Sequence, residues 1–363
     1  LDLSAIKCYQ HNMIREILEE PDVIRRTLTE ERENIRRIAE DLKDYEIFYV
    51  TGSGTSYHAG LASQYALSSL TGIITSTLPA SEFHRWVPQN LSKTKRALLM
   101  AISQSGESTD IIGAAKAALR MRIDVLAITN TPGSTLANLA NYVIYPRSGR
   151  EEAIPATKTY IAQLAAIFML TLEMAELKIP QADIEGLREG LYRTPEMIEE
   201  IFASSIETIR RAAEKYRDKN LIFILGSGPN YATALEGALK LKETCMIFSE
   251  GFATREFLHG PIRLIDERTL MIIICTSDEA DDYIGLLSGF KGFGANVISV
   301  LEREEASKPL ADISDCTFYV PPGLPKVFSP MVFVVPIQIF TYYMSVFRGL
   351  NPDRPEKLMK VVR

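Results

Sequence analysis

FYVTGSGTSY, Phe48 to Tyr57, is answered 174 residues later by IFILGSGPNY, Ile222 to Tyr231. Each is an apolar run that ends in Gly-Ser-Gly and reaches a tyrosine three residues on. The echo continues in order. LLMAISQSGE (Leu98–Glu107) pairs with LMIIICTSDE (Leu270–Glu279) and VLAITN (Val125–Asn130) with VISVLE (Val297–Glu302), both at an offset of 172. ANLANYVIYP (Ala137–Pro146) pairs with ADISDCTFYVP (Ala311–Pro321), starting at 174. Four elements at a nearly constant offset predict two copies of one domain. Within each copy, short β-branched runs alternate with helical periodicity, as in HAGLASQYALSSLTG, which closes at Gly72, and TDIIGAAKAALRMRI. That alternation predicts an α/β fold: in each copy a mainly parallel sheet flanked by helices, a flavodoxin-like three-layer sandwich.

Parallel sheets of this kind take ligands at the carboxyl ends of their strands. There the first copy carries Ser103-Gln104-Ser105-Gly106-Glu107-Ser108 between a strand ending at Ile102 and a helix beginning at Thr109. Unpartnered N–H groups and the positive end of the helix dipole favour an anion at such a place. Hydroxyls of Ser103, Ser105 and Ser108 and the amide of Gln104 add donors, and Gly106 permits a turn that other residues resist. This reads as a phosphate site without a lysine. A capping loop, with Ser108 or Thr109 as the cap, is the plainer reading, but capping uses one hydroxyl. GSGTS alone is a weaker signal, since it lacks both the G-x-G-x-x-G and the G-x-x-x-x-G-K-[ST] spacing. The matching loop of the second copy, Thr276-Ser277-Asp278-Glu279-Ala280-Asp281-Asp282, is acidic and would repel phosphate.

In ALEGALKLKE the charges Glu236, Lys240 and Glu243 fall at i, i+4 and i+7. An exposed salt-bridged helix face accounts for that spacing by itself. SEGFATREFLHGP then brackets Glu250, Arg255, Glu256 and His259 with glycines, and imidazole near acids suits acid–base work. The other histidines, His11, His58 and His84, receive no role. Totals add limits. The net charge of −6 comes without blocks of like charge, which argues against nucleic-acid binding. Cys8, Cys245, Cys275 and Cys316 show neither disulfide nor zinc spacing, so a reducing, cytoplasmic setting is expected and no metal. No cofactor is expected. The apolar runs Gln163–Leu172 and Val332–Ile339 are too short to span a membrane.

Taken together, IREILEEPDVIRRTL, GSGTSYHAG, PASEF, ISQSGES, PATKTY, ALEGALKLKE, EFLHGP and NPDRPEKLMK run from about Met13 to Lys360 in the order of the sugar isomerase (SIS) family. The chain resembles the isomerase part of the glutamine–fructose-6-phosphate aminotransferases within it. The resemblance implies two tandem SIS domains: a helical lead-in over 1–45, a phosphate-binding domain over 46–195, a second domain over 196–347, and a tail over 348–363 carrying a catalytic lysine. It implies that Ser103, Gln104, Ser105 and Ser108 hold a sugar phosphate, that Ser56 touches the sugar, and that Ile154 offers a backbone contact. Glu243 would move a proton between C1 and C2, with Lys240 assisting at the neighbouring hydroxyl. His259, from the second subunit of a homodimer, would help open the ring. Lys360 would form a Schiff base with the ketone.

The implied reaction interconverts glucosamine 6-phosphate with fructose 6-phosphate and ammonia, as a stand-alone enzyme or as the isomerase part of a longer synthase. A deglycase of a fructosamine phosphate and a non-catalytic sugar-phosphate sensor are the alternatives, the sensor having no use for Glu243, His259 and Lys360. Some positions depart from the family pattern. Ala156 stands where serine is usual, with Pro155 before it, Ser108 replaces threonine, and Glu356 stands where arginine is usual. Leu1 is neither an initiator nor the cysteine a glutaminase needs, so upstream residues are expected, and this chain alone is not expected to hydrolyse glutamine.

Overall fold

The computed structural model describes residues 10–87, 96–178 and 183–361; Leu1 and Cys8 lie outside them. The chain forms two compact units, neither continuous in sequence. The amino-terminal unit comprises Asp22–Glu151, Lys158–Arg193 and the tail from Met359. The carboxy-terminal unit comprises the segment up to Pro21, Glu152–Thr157 and Thr194–Leu358.

Three helices lead in: α1 (Asn12–Leu18), α2 (Glu20–Glu30) and α3 (Arg32–Leu42). The first break falls at Glu19, just before Glu20-Pro21. Proline sits comfortably in the first turn of α2, where its missing N–H removes no helical bond.

The amino-terminal sheet has strands β1 (Ile47–Gly52), β2 (Ile74–Pro79), β3 (Ala97–Ile102), β4 (Asp124–Ile128) and β5 (Tyr142–Ile144). All pair in parallel, in the order β2-β1-β3-β4-β5. Its helices are α4 (Thr55–Thr71), α5 (Ala80–Trp86), α6 (Thr109–Arg120), α7 (Thr135–Leu139) and α8 (Lys158–Lys178). Then come α9 (Ile184–Ser204) and α10 (Ile206–Lys215), which precede the second sheet. Its strands are β6 (Leu221–Gly226), β7 (Phe248–Ala253), β8 (Thr269–Cys275), β9 (Asn296–Glu302) and β10 (Cys316–Val320), with helices α11 (Pro229–Cys245), α12 (Ala280–Gly292), α13 (Lys308–Ile313) and α14 (Pro330–Phe347). The order, β7-β6-β8-β9-β10, repeats the first sheet strand for strand and is again all parallel. The 174-residue echo is thus β1 and β6, each feeding a helix through Gly-Ser-Gly.

The glycines of that turn have a mechanical reason. A Cβ on Gly52 would sit 2.7 Å from the Ser56 carbonyl carbon, and one on Gly226 would sit 2.3 Å from the Asn230 carbonyl oxygen. Strand end and helix start touch there, and a larger residue would separate them.

The edge strands β2 and β7 were not legible as strands. ITSTLP and FSEGFA lack the continuous apolar run of the central strands because one edge and part of their surface face solvent. Two helices, α8 and α14, contain windows long and apolar enough to cross a bilayer, with mean hydropathy 1.4 and 1.5; both windows are 89% buried among protein atoms, as core helices are. The tail after Phe347 forms no helix among its described residues, as its prolines predict.

Candidate active site

In the amino-terminal unit, β3 delivers the loop Ser103–Ser108 and β1 delivers Ser56. The strands are neighbours, so both loops open at the same carboxyl edge. Gly106 has φ +64. The Ser103 hydroxyl accepts from the Gly106 N–H at 3.1 Å and the Ser105 hydroxyl from the Glu107 N–H at 3.2 Å. A hydroxyl that accepts in this way keeps its O–H to donate. Ser108 is the N-cap of α6, yet its side chain makes no capping bond. The plainer capping reading therefore fails for Ser108. The loop is held from behind: Glu107 accepts from the Thr135 N–H and hydroxyl at 2.7 and 2.9 Å, and the Gln104 carbonyl accepts from the Asn130 N–H at 3.1 Å. Gln104 also lines a cavity of about 520 Å³ with Arg26, Asn130, Thr131, Arg147 and Arg150.

Ser56 accepts a hydrogen bond from Gln163 on α8 at 3.1 Å, and the other amide atom of Gln163 is buried with no partner. One helical turn earlier, Thr159 donates its N–H and hydroxyl to Glu151 at 3.2 and 2.8 Å. Glu151 in turn receives the Lys360 ammonium at 2.6 Å. Thr159 and Gln163 share one face of α8, so the tail amine and the Ser56 hydroxyl are tied to the same face. Sequence reasoning missed Glu151 and Gln163. No local pattern marks either residue, since their partners lie 209 and 107 positions away.

In the carboxy-terminal unit, the expected exposed charge stripe on α11 is a buried cluster. The Lys240 side chain is 1% exposed and pairs with Glu236 at 3.3 Å and Glu243 at 2.5 Å. Glu236 is completely buried and Glu243 is 21% exposed, so one of the two carboxylates reaches solvent. Burying three charges is costly unless each is paired, and the shared ammonium supplies that pairing. The helix fits this closely because it is small where it touches its neighbours. A Cβ on Gly237 would meet Ile337 of α14 at 2.8 Å, and a Cβ on Gly251 of β7 would meet the Ala234 backbone at 2.6 Å.

His259 follows a short 3-10 turn and is exposed. Two residues before it, Phe257 is fully buried, with its ring 5.1 Å from Phe223 and 5.4 Å from Phe252. The loop is thereby anchored while its imidazole projects outward. The Ile154 N–H is taken by the Asp353 carbonyl at 2.9 Å.

The matching loop of the second copy bonds a carboxylate of its own unit. The Ser277 N–H donates to Glu302 at 2.8 Å, and the Ser277 hydroxyl also bonds Glu302. Glu302 occupies the place in the repeat that Asn130 holds in the first copy. Lys326 bridges Asp278 and Glu279 at 3.0 and 2.9 Å. Burial would lower the Lys326 amine, but hydrogen bonds to those two carboxylates outweigh it and hold it above its ordinary value. Among the described residues no group of acids, histidines and cysteines is arranged to hold a metal.

The sequence pattern of the SIS domain matches residues 42–173 and 215–348. The chain is 39% identical, over 99% of its length, to a glutamine–fructose-6-phosphate aminotransferase (isomerizing) of Methanothermobacter thermautotrophicus. It is 35% identical, over its full length, to one from Thermococcus kodakarensis. It spans 59% of the length of each of those relatives. Among solved structures, the C-terminal domain of glucosamine-fructose-6-phosphate aminotransferase from Francisella tularensis superposes with a TM-score of 0.87 at 26% identity, covering 96% of this chain and 99% of that one. A glucosamine-6-phosphate deaminase from Thermotoga maritima superposes with a TM-score of 0.76 at 25% identity, covering 97% and 99%.

Proposed function

The chain belongs to the SIS domain family, and from that premise we propose that it interconverts fructose 6-phosphate and ammonia with glucosamine 6-phosphate. Ser103, Gln104, Ser105 and Ser108, with the N-terminus of α6, bind the phosphate; Ser56 and the backbone at Ile154 orient the sugar. His259 acts on the ring oxygen across a homodimer interface. Lys360 attacks the C2 carbonyl, ammonia replaces it as the imine nitrogen, and Glu243 carries the C1 proton to C2. Lys240, held between two carboxylates, steadies the charge beside the neighbouring hydroxyl.

The observation that carries this reading is the Glu236–Lys240–Glu243 cluster, in which one carboxylate reaches solvent from a buried ammonium. A base for proton transfer needs that fixed position and access. A sugar-phosphate sensor needs neither. The test is turnover of fructose 6-phosphate with ammonium, read as glucosamine 6-phosphate formed. Glu243→Gln should lower kcat by about 10²–10⁴-fold with KM nearly unchanged. If KM and kcat suffer equally, Glu243 is not the proton carrier; phosphate-sugar binding without turnover by the unaltered chain would favour the sensor.

A further inference from the structure

We propose that Glu151 is the acid–base partner of Lys360, taking a proton from its ammonium before attack on the sugar and returning one as water leaves. The inference rests on the reading of Lys360 as the nucleophile. The Glu151 side chain is fully buried, and that of Lys360 is 26% exposed. One Glu151 oxygen accepts the Thr159 N–H at 3.2 Å. The other accepts both the Thr159 hydroxyl at 2.8 Å and the Lys360 ammonium at 2.6 Å. Thr159 alone would suffice to tie Glu151 to the first turn of α8. The third bond brings a reactive amine from a tail that has no helix to fix it, and sets it on an oxygen whose direction Thr159 already holds.

The chemistry needs such a group. An ammonium has no lone pair and cannot attack a carbonyl. Transfer of its proton to Glu151 leaves a neutral amine and a carboxylic acid. The amine nitrogen bonds to the C2 carbonyl carbon, the carbonyl oxygen takes up the proton shed by that nitrogen, and a carbinolamine results. Glu151 then gives its proton to the carbinolamine hydroxyl, the C–O bond breaks, and water departs. The products are a protonated imine on Lys360 and the original carboxylate, with no other reactant consumed.

The experiment is borohydride trapping of the full chain with fructose 6-phosphate, followed by peptide mass analysis and the initial rate of adduct formation. The unaltered chain should trap sugar on Lys360. Glu151→Gln keeps an acceptor for Thr159 but no proton acceptor, and trapping should slow by about 100-fold or more with the thermal midpoint preserved. Thr159→Val loosens the Glu151 oxygen that Lys360 meets but keeps the carboxylate, and should trap more slowly than the unaltered chain yet clearly faster than Glu151→Gln. Glu151→Asp, which keeps the carboxylate should the glutamine variant not fold, should recover part of the rate. If the unaltered chain forms no adduct on Lys360, the Lys360 assignment falls and this inference with it. If it does, and Glu151→Gln traps equally fast or Thr159→Val is equally slow, the inference alone is overturned.

Discussion

Gly106 shows how much one residue can determine. Its positive φ of +64 would cost an alanine about 1–2 kcal/mol. A Cβ there would also lie 2.2 Å from the Ser134 hydroxyl, whose oxygen caps α7 by accepting from the Ala137 N–H. Gly106→Ala should therefore lower the thermal midpoint by several degrees, at roughly 2–4 °C per kcal/mol, and raise KM for fructose 6-phosphate more than it lowers kcat. Unchanged melting and unchanged KM would show that the loop does not depend on this backbone shape. The need for glycine here was legible, because a helix start crowded with hydroxyls announces a tight polar turn. The rear support from Glu107 to Thr135 was not, since the two lie 28 residues apart on different elements.

At the scale of elements, α11 is the lesson. Charges at i, i+4 and i+7 ordinarily mark a solvent face. Here Ala232, Ala234, Ala238 and Leu241 are buried along with Glu236 and Lys240, so the helix is enclosed on nearly every side. The small residues were the visible sign, but periodicity cannot say whether a polar stripe meets water or another helix. At its end, the Cys245 thiol donates to the Thr341 carbonyl of α14 at 3.3 Å. Burial pushes that thiol up to about 12, from an ordinary value of 9.0. The folded state thus disfavours the thiolate. Its stabilising effect is complete below the ordinary thiol range and declines as pH rises toward about 12. At pH 8 a maleimide probe should leave Cys245 unlabelled in the native protein and label it in denaturant, as peptide mass analysis would read. Ready native labelling would mean that α11 and α14 separate easily.

For the whole molecule, two units built on one topology have diverged in charge. One carries a loop of hydroxyls and an amide after β3, and in the other the matching loop bonds Glu302. Neither unit is one stretch of chain: Asp353 caps α1 by accepting from the Asn12 and Met13 N–H groups at 2.8 Å each. A homodimer in which His259 serves the partner's site makes a quantitative prediction. Inactive His259→Asn and Glu243→Gln chains, unfolded and refolded together, should regain about a quarter of normal activity, because half of random symmetric dimers are mixed and each restores one of two sites. No recovery would place His259 in the site of its own chain. The sequence by itself determined the strand–loop–helix order, its duplication and the glycine turns after the first strands, because those follow from local periodicity and from backbone shapes that glycine permits. Which charges are buried, and that Lys360 meets Glu151 across 209 residues, was decided by tertiary structure alone, because contacts between distant residues leave no period in the chain.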